Sequence, residues 1–299
     1  MRHIEFVIPK EYDNQKVLAY LKGQAKLSSR LISSLKNVEN GITLNGEHIR
    51  TVDFLKEGDI LAVNFPIDKS DIEPIYHPID IVYEDNDIIV INKPSGLAMH
   101  PTHNHQGDTL ANAVAAHFAK SNKLVTFRAV GRLDKCTSGL VVCALNKYSA
   151  SLLQRNFDKT YYALVGGTYS GTGTIDRPIY RPDPMKTTRC VDDRGERAVT
   201  HWQSLCSKDD ITLMRIKLET GRTHQIRVHF ASMGTPLCGD EMYGGKTDFI
   251  SRSALHCGEM TFIHPVTGEK MSFIAPIPSD MQAVLDKIGC NLDEIIEII

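Results

Sequence analysis

Residues 79–101 read IDIVYEDNDIIVINKPSGLAMHP: two β-branched runs, IDIVYE and DIIVIN, on either side of an acidic Glu-Asp-Asn-Asp turn. Short apolar runs bounded by turn residues predict a β-hairpin. The second run ends in Lys-Pro-Ser-Gly, a turn that stops the strand. The same pattern recurs downstream. GRLDKCTSGL (131–140) feeds the apolar strand LVVCAL; TYYALVGGTY, AVTHWQSL, ITLMRIKLET, ALHCGEMTFIHP and EKMSFIAP follow as further strands. Helical spacing is sparse: Leu110, Val114 and Phe118 in GDTLANAVAAHFAK, a short SASLLQRNF, and Ile226, Phe230 and Met233 in THQIRVHFASMG. Many strands, few helices and no βαβ rhythm predict an α+β domain over 80–290, built on a mixed, mostly antiparallel sheet.

Upstream, residues 14–66 form a second, smaller unit. SSRLISSLKNV sets Leu27, Leu31, Leu35 and Val38 at helical spacing, with Ser28 or Ser29 suited to cap the start. GITLNGEHI offers strand, Asn-Gly turn and strand, and FLKEGDILAVNF closes the unit with another strand. Residues 67–79, with two prolines and no period, read as a linker. At 299 residues, 42% hydrophobic and 23% charged, the chain fits one large and one small globular domain. No run reaches the roughly 18 apolar residues of a membrane span, and none near the N-terminus suits a signal peptide. Seven cysteines without a CxxC pair point away from a zinc ribbon or a disulfide framework, and toward reduced thiols in a cytoplasm.

Net charge is −2, but the charges are segregated. Lys16, Lys22, Lys26, Arg30 and Lys36 follow one another with no acidic residue between them; Arg177 to Arg197 is a second basic stretch, and the terminal NLDEIIEII is acidic and apolar. Such patches permit an anionic partner on one face, although a solvated charged surface gives the same pattern.

Three short sequences carry candidate chemistry: KPSGLAMHP (93–101), GRLDKCTSGL (131–140) and TGRTHQIRVH (220–229). Each has a structural reading too. Lys93 can be solvated, Asp134 can accept from the turn at Thr137 or Ser138, and Arg222 and Arg227 can be surface residues near a helix start. Together they suit a different task. An arginine fork is the natural partner of a carboxylate at low exposure, a helix start beside Arg222 and Arg227 suits phosphate, and Tyr161 can stack on a base. Carboxylate, arginine, tyrosine and basic patches fit a nucleoside drawn out of its stack.

KPSGLAMHP, GRLDKCTSGLVV, KTYYALV and TGRTHQIRVHFASMGTPLCGDEMYG resemble, in order, the motifs of the RluA-type pseudouridine synthases. LSSRLISSLKNVENGITLNGEHI followed by LKEGDILAV resembles the RNA-binding domain named after ribosomal protein S-four, the alpha-L motif. The resemblance implies a pseudouridine synthase catalytic domain behind a small alpha-L domain. It implies catalytic roles for Asp134, for Tyr161 against the target uracil, and for Arg227 paired with the aspartate. Arg132, Arg222 and Lys93 would bind substrate at the site, and Arg30 and Lys36 would lie on structured RNA. It implies no cofactor, no metal and no obligate protein partner. Ribosomal RNA is the expected substrate, tRNA the second, with no membrane association. One letter departs from the family: Gly131 stands where a histidine is usual, leaving any contact of that histidine in doubt and allowing backbone angles histidine rarely adopts.

Three other readings compete. The second domain could be catalytically silent in an RNA-binding protein, against which the intact Asp134, Tyr161 and Arg227 set argues. His100, His103 and His105 in HPTHNH could ligate zinc, but no HExxH accompanies them and a polar loop is expected. Ser138 lacks the GxSxG elbow of a serine hydrolase.

Overall fold

The computed structural model describes residues 2–66, 72–102, 106–121, 125–153 and 157–290. The acidic C-terminal tail, His103 and His105 lie outside them, and so does part of the 67–79 linker.

The N-terminal unit is built from β1 (Arg2–Val7), α1 (Val17–Lys22), α2 (Ser29–Leu35), β2 (Ile42–Leu44), β3 (Glu47–His48) and β4 (Ile60–Phe65). Its four-stranded sheet has the order β1-β4-β2-β3, so β1, ahead of residue 14, is one edge. Ser28 caps α2 by accepting from the Leu31 amide at 3.2 Å. Leu27, Leu31, Ile32 and Leu35 are buried, which is the stripe that docks α2 on the sheet. Asn45 and Gly46 both take positive φ, 51° and 89°, as the tight turn between β2 and β3 requires.

The larger unit begins with β5 (Asp80–Glu84), β6 (Ile88–Lys93), α3 (Leu110–Ala119), β7 (Arg128–Val130), β8 (Ser138–Ala144) and α4 (Lys147–Leu153). It continues through β9 (Phe157–Gly166), β10 (Thr172–Asp176), β11 (Ile179–Tyr180), β12 (Cys190–Val191), β13 (Val199–Lys208) and β14 (Ile211–Leu218). It closes with α5 (Gln225–Ser232), β15 (Leu255–Ile263), β16 (Lys270–Ile274) and α6 (Ser279–Ile288). Eight strands run in the order β10-β13-β14-β9-β15-β8-β6-β5, with β16 on β15 and β7 on β8. Among the described strands only β15 and β8 pair in parallel, so the sheet is mixed and mostly antiparallel, as expected. β8 is buried along its whole length, and Ile88, Ile89, Val90 and Ile91 of β6 are buried with it. Both faces are covered, which is why these strands read as continuous apolar runs rather than alternating ones.

Gly139 is fixed by this crossing. Its φ is +112°, and a Cβ there would lie 2.3 Å from the Cys257 carbonyl oxygen on β15. No side chain fits.

The two units meet at specific contacts. Arg2 donates to both oxygens of Asp87 at 2.9 and 2.7 Å, and the Phe65 ring stacks on Tyr148 of α4 with centroids 5.6 Å apart.

Two expectations are corrected. Cys206 and Cys290 are joined as a disulfide, with Cα atoms 6.3 Å apart, so the seven thiols are not all free. The partners are 84 residues apart in sequence and meet only where α6 returns to β13, which no spacing rule announces. Met233 does not extend the buried stripe of α5. It caps the helix and is exposed, while Ile226 and Phe230 are buried.

Candidate active site

The loop between β7 and β8 carries Asp134 over the end of the sheet. Its turn is closed by the main chain, with the Thr137 amide donating to the Asp134 carbonyl oxygen at 3.1 Å. That leaves the side chain for another use. Asp134 Oδ2 accepts from Arg227 Nη1 at 3.2 Å. Asp134 closes its turn through its backbone carbonyl and not through its carboxylate.

Lys93 explains why this loop is held. It is completely buried, and its Nζ donates to the carbonyls of Pro94 and Leu97 at 2.9 Å each and to that of Lys135 at 3.3 Å. Ser95 Oγ donates to the Cys136 carbonyl at 2.9 Å, and the Gly96 amide to the Lys135 carbonyl at 2.9 Å. Thus the KPSG turn and the LDKCT turn are one unit knotted around a lysine. Burial pushes the Lys93 pKa down to about 7. The amine faces backbone oxygens of the two turns rather than solvent.

Arg227 comes from α5, reaching Asp134 across 93 positions of sequence. It is itself clamped. Nε and Nη2 donate to the two oxygens of Asp240 at 2.6 and 2.7 Å, and the guanidinium lies 5.0 Å from the centroid of the Tyr243 ring. Burial alone would lower its pKa; the Asp240 and Asp134 carboxylates outweigh that and raise it.

His224 precedes α5 in the left-handed region, φ 58° and ψ 20°. Tyr243 Oη accepts from the Arg189 amide at 3.0 Å and is hydrogen-bonded to His224 Nδ1, 2.7 Å away. The imidazole Nε2 stands 3.9 Å from Asp134 Oδ2. Burial pushes the His224 pKa down, with Asp134 opposing and Arg227 adding to the effect.

A cleft of about 520 Å³ opens beside these groups, lined by Gly131, Arg132, Asp134, Tyr161, Arg222 and Arg227 among others. Tyr161 is 8% exposed, and burial raises its phenol well above the ordinary value, with Cys257 and Asp134 adding to the rise. Arg132 is exposed and has no polar partner among the described residues. Arg222 also lies on the rim; its side chain pairs with Glu196 and donates to the Arg197 carbonyl at 3.1 Å. Arg30 and Lys36 are exposed on and just after α2, outside this cleft. His100 packs edge-on against Phe127, centroids 4.8 Å apart.

Gly131 takes φ +73°, an angle that favours glycine, and a Cβ there would lie 3.0 Å from Lys159 Nζ. Sequence reasoning did not select Lys159, His224, Asp240 or Tyr243. His224 was visible inside TGRTHQIR and Asp240 inside GDEMYG, but nothing in either stretch identifies its partner.

Comparison with known proteins gives the family. Residues 87–232 match the family model described as RNA pseudouridylate synthase. An uncharacterized RNA pseudouridine synthase of Bacillus subtilis, YjbO, is 40% identical over 273 residues, covering 88% of this chain and 96% of that protein. Ribosomal large subunit pseudouridine synthase D of Haemophilus influenzae is 34% identical over 301 residues, 94% of this chain and 88% of the relative. Among solved structures, human RNA pseudouridylate synthase domain containing 1 superposes with a TM-score of 0.57 at 25% identity, over 78% of this chain and 97% of that one. Likeness over nearly the full length, together with a fold that brings Asp134, Tyr161 and Arg227 to one cleft, shows that this chain belongs to the RluA-type RNA pseudouridine synthases, isomerases that act on uridine in RNA.

Proposed function

We propose that the chain converts particular uridines of structured ribosomal RNA to pseudouridine, with Asp134 as the group that acts on the sugar. The observation that carries this reading is the single hydrogen bond from Arg227 Nη1 to Asp134 Oδ2 at 3.2 Å in a cleft that also holds Tyr161. One oxygen is oriented by the guanidinium, and Oδ1 has no polar partner among the described residues. A carboxylate so placed serves as nucleophile or as base toward ribose. The isomerisation breaks the bond from ribose to ring nitrogen, turns the freed uracil and joins it again through a ring carbon, so no atom is gained or lost. The base must stay confined throughout, and stacking on Tyr161 would confine it. Its hydroxyl would then handle the ring proton that leaves as the carbon-linked ring regains its aromatic form.

Substrate choice rests on the relatives named for the large ribosomal subunit, with tRNA as second choice. The N-terminal unit, with exposed Arg30 and Lys36, would supply affinity for folded RNA, and Arg132 and Arg222 would take phosphates at the cleft rim. Such work belongs in the cytoplasm and requires no second protein chain.

Asp134→Asn is the test. It should fold as the wild type and bind transcribed large-subunit rRNA equally well, yet release no tritium from uracil labelled at carbon 5. Turnover in that variant would refute the role given to Asp134. Absence of pseudouridine from both rRNA and tRNA incubated with the wild type would refute the substrate.

A further inference from the structure

Two polar atoms on the cleft wall lack a partner. Lys159 Nζ and Thr137 Oγ1 are both inaccessible to solvent and make no hydrogen bond among the described residues. Buried polar groups in folded proteins are nearly always paired, so two orphans lining one cleft call for an explanation. Lys159 stands two residues before Tyr161 on β9, and in a strand that spacing returns both side chains to the same face. Both line the cleft, together with Thr137. The amine lies 5.0 Å from the Phe157 ring centroid, a contact that offsets part of its burial but uses none of its N–H donors. Opposite it, Gly131 leaves the space that the amine occupies, since a Cβ there would come to 3.0 Å of Nζ. Nearby thiols of Cys257 and Cys143 are weak acceptors and leave the donors unsatisfied.

An unsatisfied donor in a substrate cleft is stable only in the sense that the rest of the fold tolerates it; a ligand acceptor removes the penalty. Uracil presents two carbonyl oxygens with an N–H between them. We propose that Lys159 Nζ donates to a carbonyl oxygen of the target uracil, with the Thr137 hydroxyl as the second polar contact to the same ring. This rests on the pseudouridine synthase reading of the cleft. When the bond from ribose to nitrogen breaks, negative charge spreads from the ring nitrogen onto the carbonyl oxygens. A donor held there, out of water, stabilises the detached base more than the bound nucleoside. Lys159 thereby lowers the barrier. Burial lowers the lysine pKa; the amine donates in either protonation state.

The test compares wild type, Lys159→Met and Lys159→Gln on rRNA transcripts tritiated at uracil carbon 5, reading single-turnover tritium release, filter-binding affinity and melting temperature. Loss of a donor that acts at the transition state should slow Lys159→Met by ~10²-fold with affinity unchanged within about threefold. Because methionine removes a buried unpaired amine, its melting temperature should equal or exceed that of the wild type. Lys159→Gln, which keeps a donor, should recover roughly tenfold of the loss. A Lys159→Met rate within tenfold of wild type overturns the inference while leaving the role of Asp134 intact. So does a rate loss accompanied by a lowered melting temperature, which would mark a structural lysine. A wild type inert on rRNA and tRNA overturns the function and this inference with it.

Discussion

Replacing Asp240 by asparagine would probe the arrangement that places the Asp134 carboxylate. The change is nearly isosteric and touches neither Asp134 nor the sheet. It removes the charge that faces Arg227, whose side chain is 6% exposed against 1% for Asp240. Two unit charges about 4 Å apart attract by about 4 kcal/mol at an effective dielectric constant near 20, and breaking a buried pair by removing one partner costs about 3–5 kcal/mol. Asparagine keeps one acceptor for Arg227, so the lower end applies, about 3 kcal/mol. For a chain of 299 residues that corresponds to a fall in melting temperature of roughly 5 °C. Freed of its anchor, Arg227 would swing toward Asp134, and the rate on bound RNA should fall by on the order of 10²-fold. The assays are thermal unfolding by circular dichroism and single-turnover tritium release. A companion variant, Arg227→Met with Asp240→Leu, replaces the buried pair by apolar groups; it should regain most of the stability and none of the activity. A melting temperature for Asp240→Asn within 2 °C of wild type would refute the claim that this pair is the anchor.

Two further outcomes follow from charge. Burial pushes His256 down to about 4 and lowers His224 and His229 as well. Folded-state values below the free imidazole value mean that the unfolded chain binds more protons as pH falls, so stability is full above about pH 6.5 and is lost through the window down to 4. His256 alone should cost about 2 kcal/mol between pH 7 and pH 5, read from urea midpoints, and His256→Gln should flatten that slope; parallel slopes would contradict it. At the other end of the chain, Arg30→Ala with Lys36→Ala should weaken rRNA binding and reduce its log-log salt slope by about two, with little change in rate at saturating RNA. An unchanged salt slope would remove the N-terminal unit from the interface.

Sequence patterns were most legible where one physical cause dominates. The strands β6 and β8 announced themselves because both faces are buried, and the cap at Ser28 and the turn at Asn45 and Gly46 follow local chemistry. Asp134 was conspicuous as a charge at the mouth of an apolar strand. Its partner required a motif, and the partner's partner was hidden. Asp240 sits in a loop shaped by distant backbone bonds, such as Gly239 to Lys246 at 2.7 Å, which no periodicity predicts. Lys93 shows the opposite error. A lysine closing a strand is ordinarily solvated, but here the chain turns back so that the Pro94 and Leu97 carbonyls take the amine, and the tertiary approach of the 134–136 turn adds that of Lys135 and completes the burial. The pairing of Cys206 with Cys290 was hidden for the same reason.

The clamp on Arg227 has a consequence for the chemistry. An arginine facing a lone carboxylate tends to bind it with two parallel hydrogen bonds, which occupies both oxygens. Here Asp240 takes Nε and Nη2, leaving Nη1 alone for Asp134. The second carboxylate therefore converts a sequestering ion pair into an orienting one. Asp134 is held by a single oxygen, His224 Nε2 at 3.9 Å is too distant for a hydrogen bond, and Oδ1 has no competing donor among the described residues. A site with the same arginine but no Asp240 would bind Asp134 through both oxygens and leave neither free.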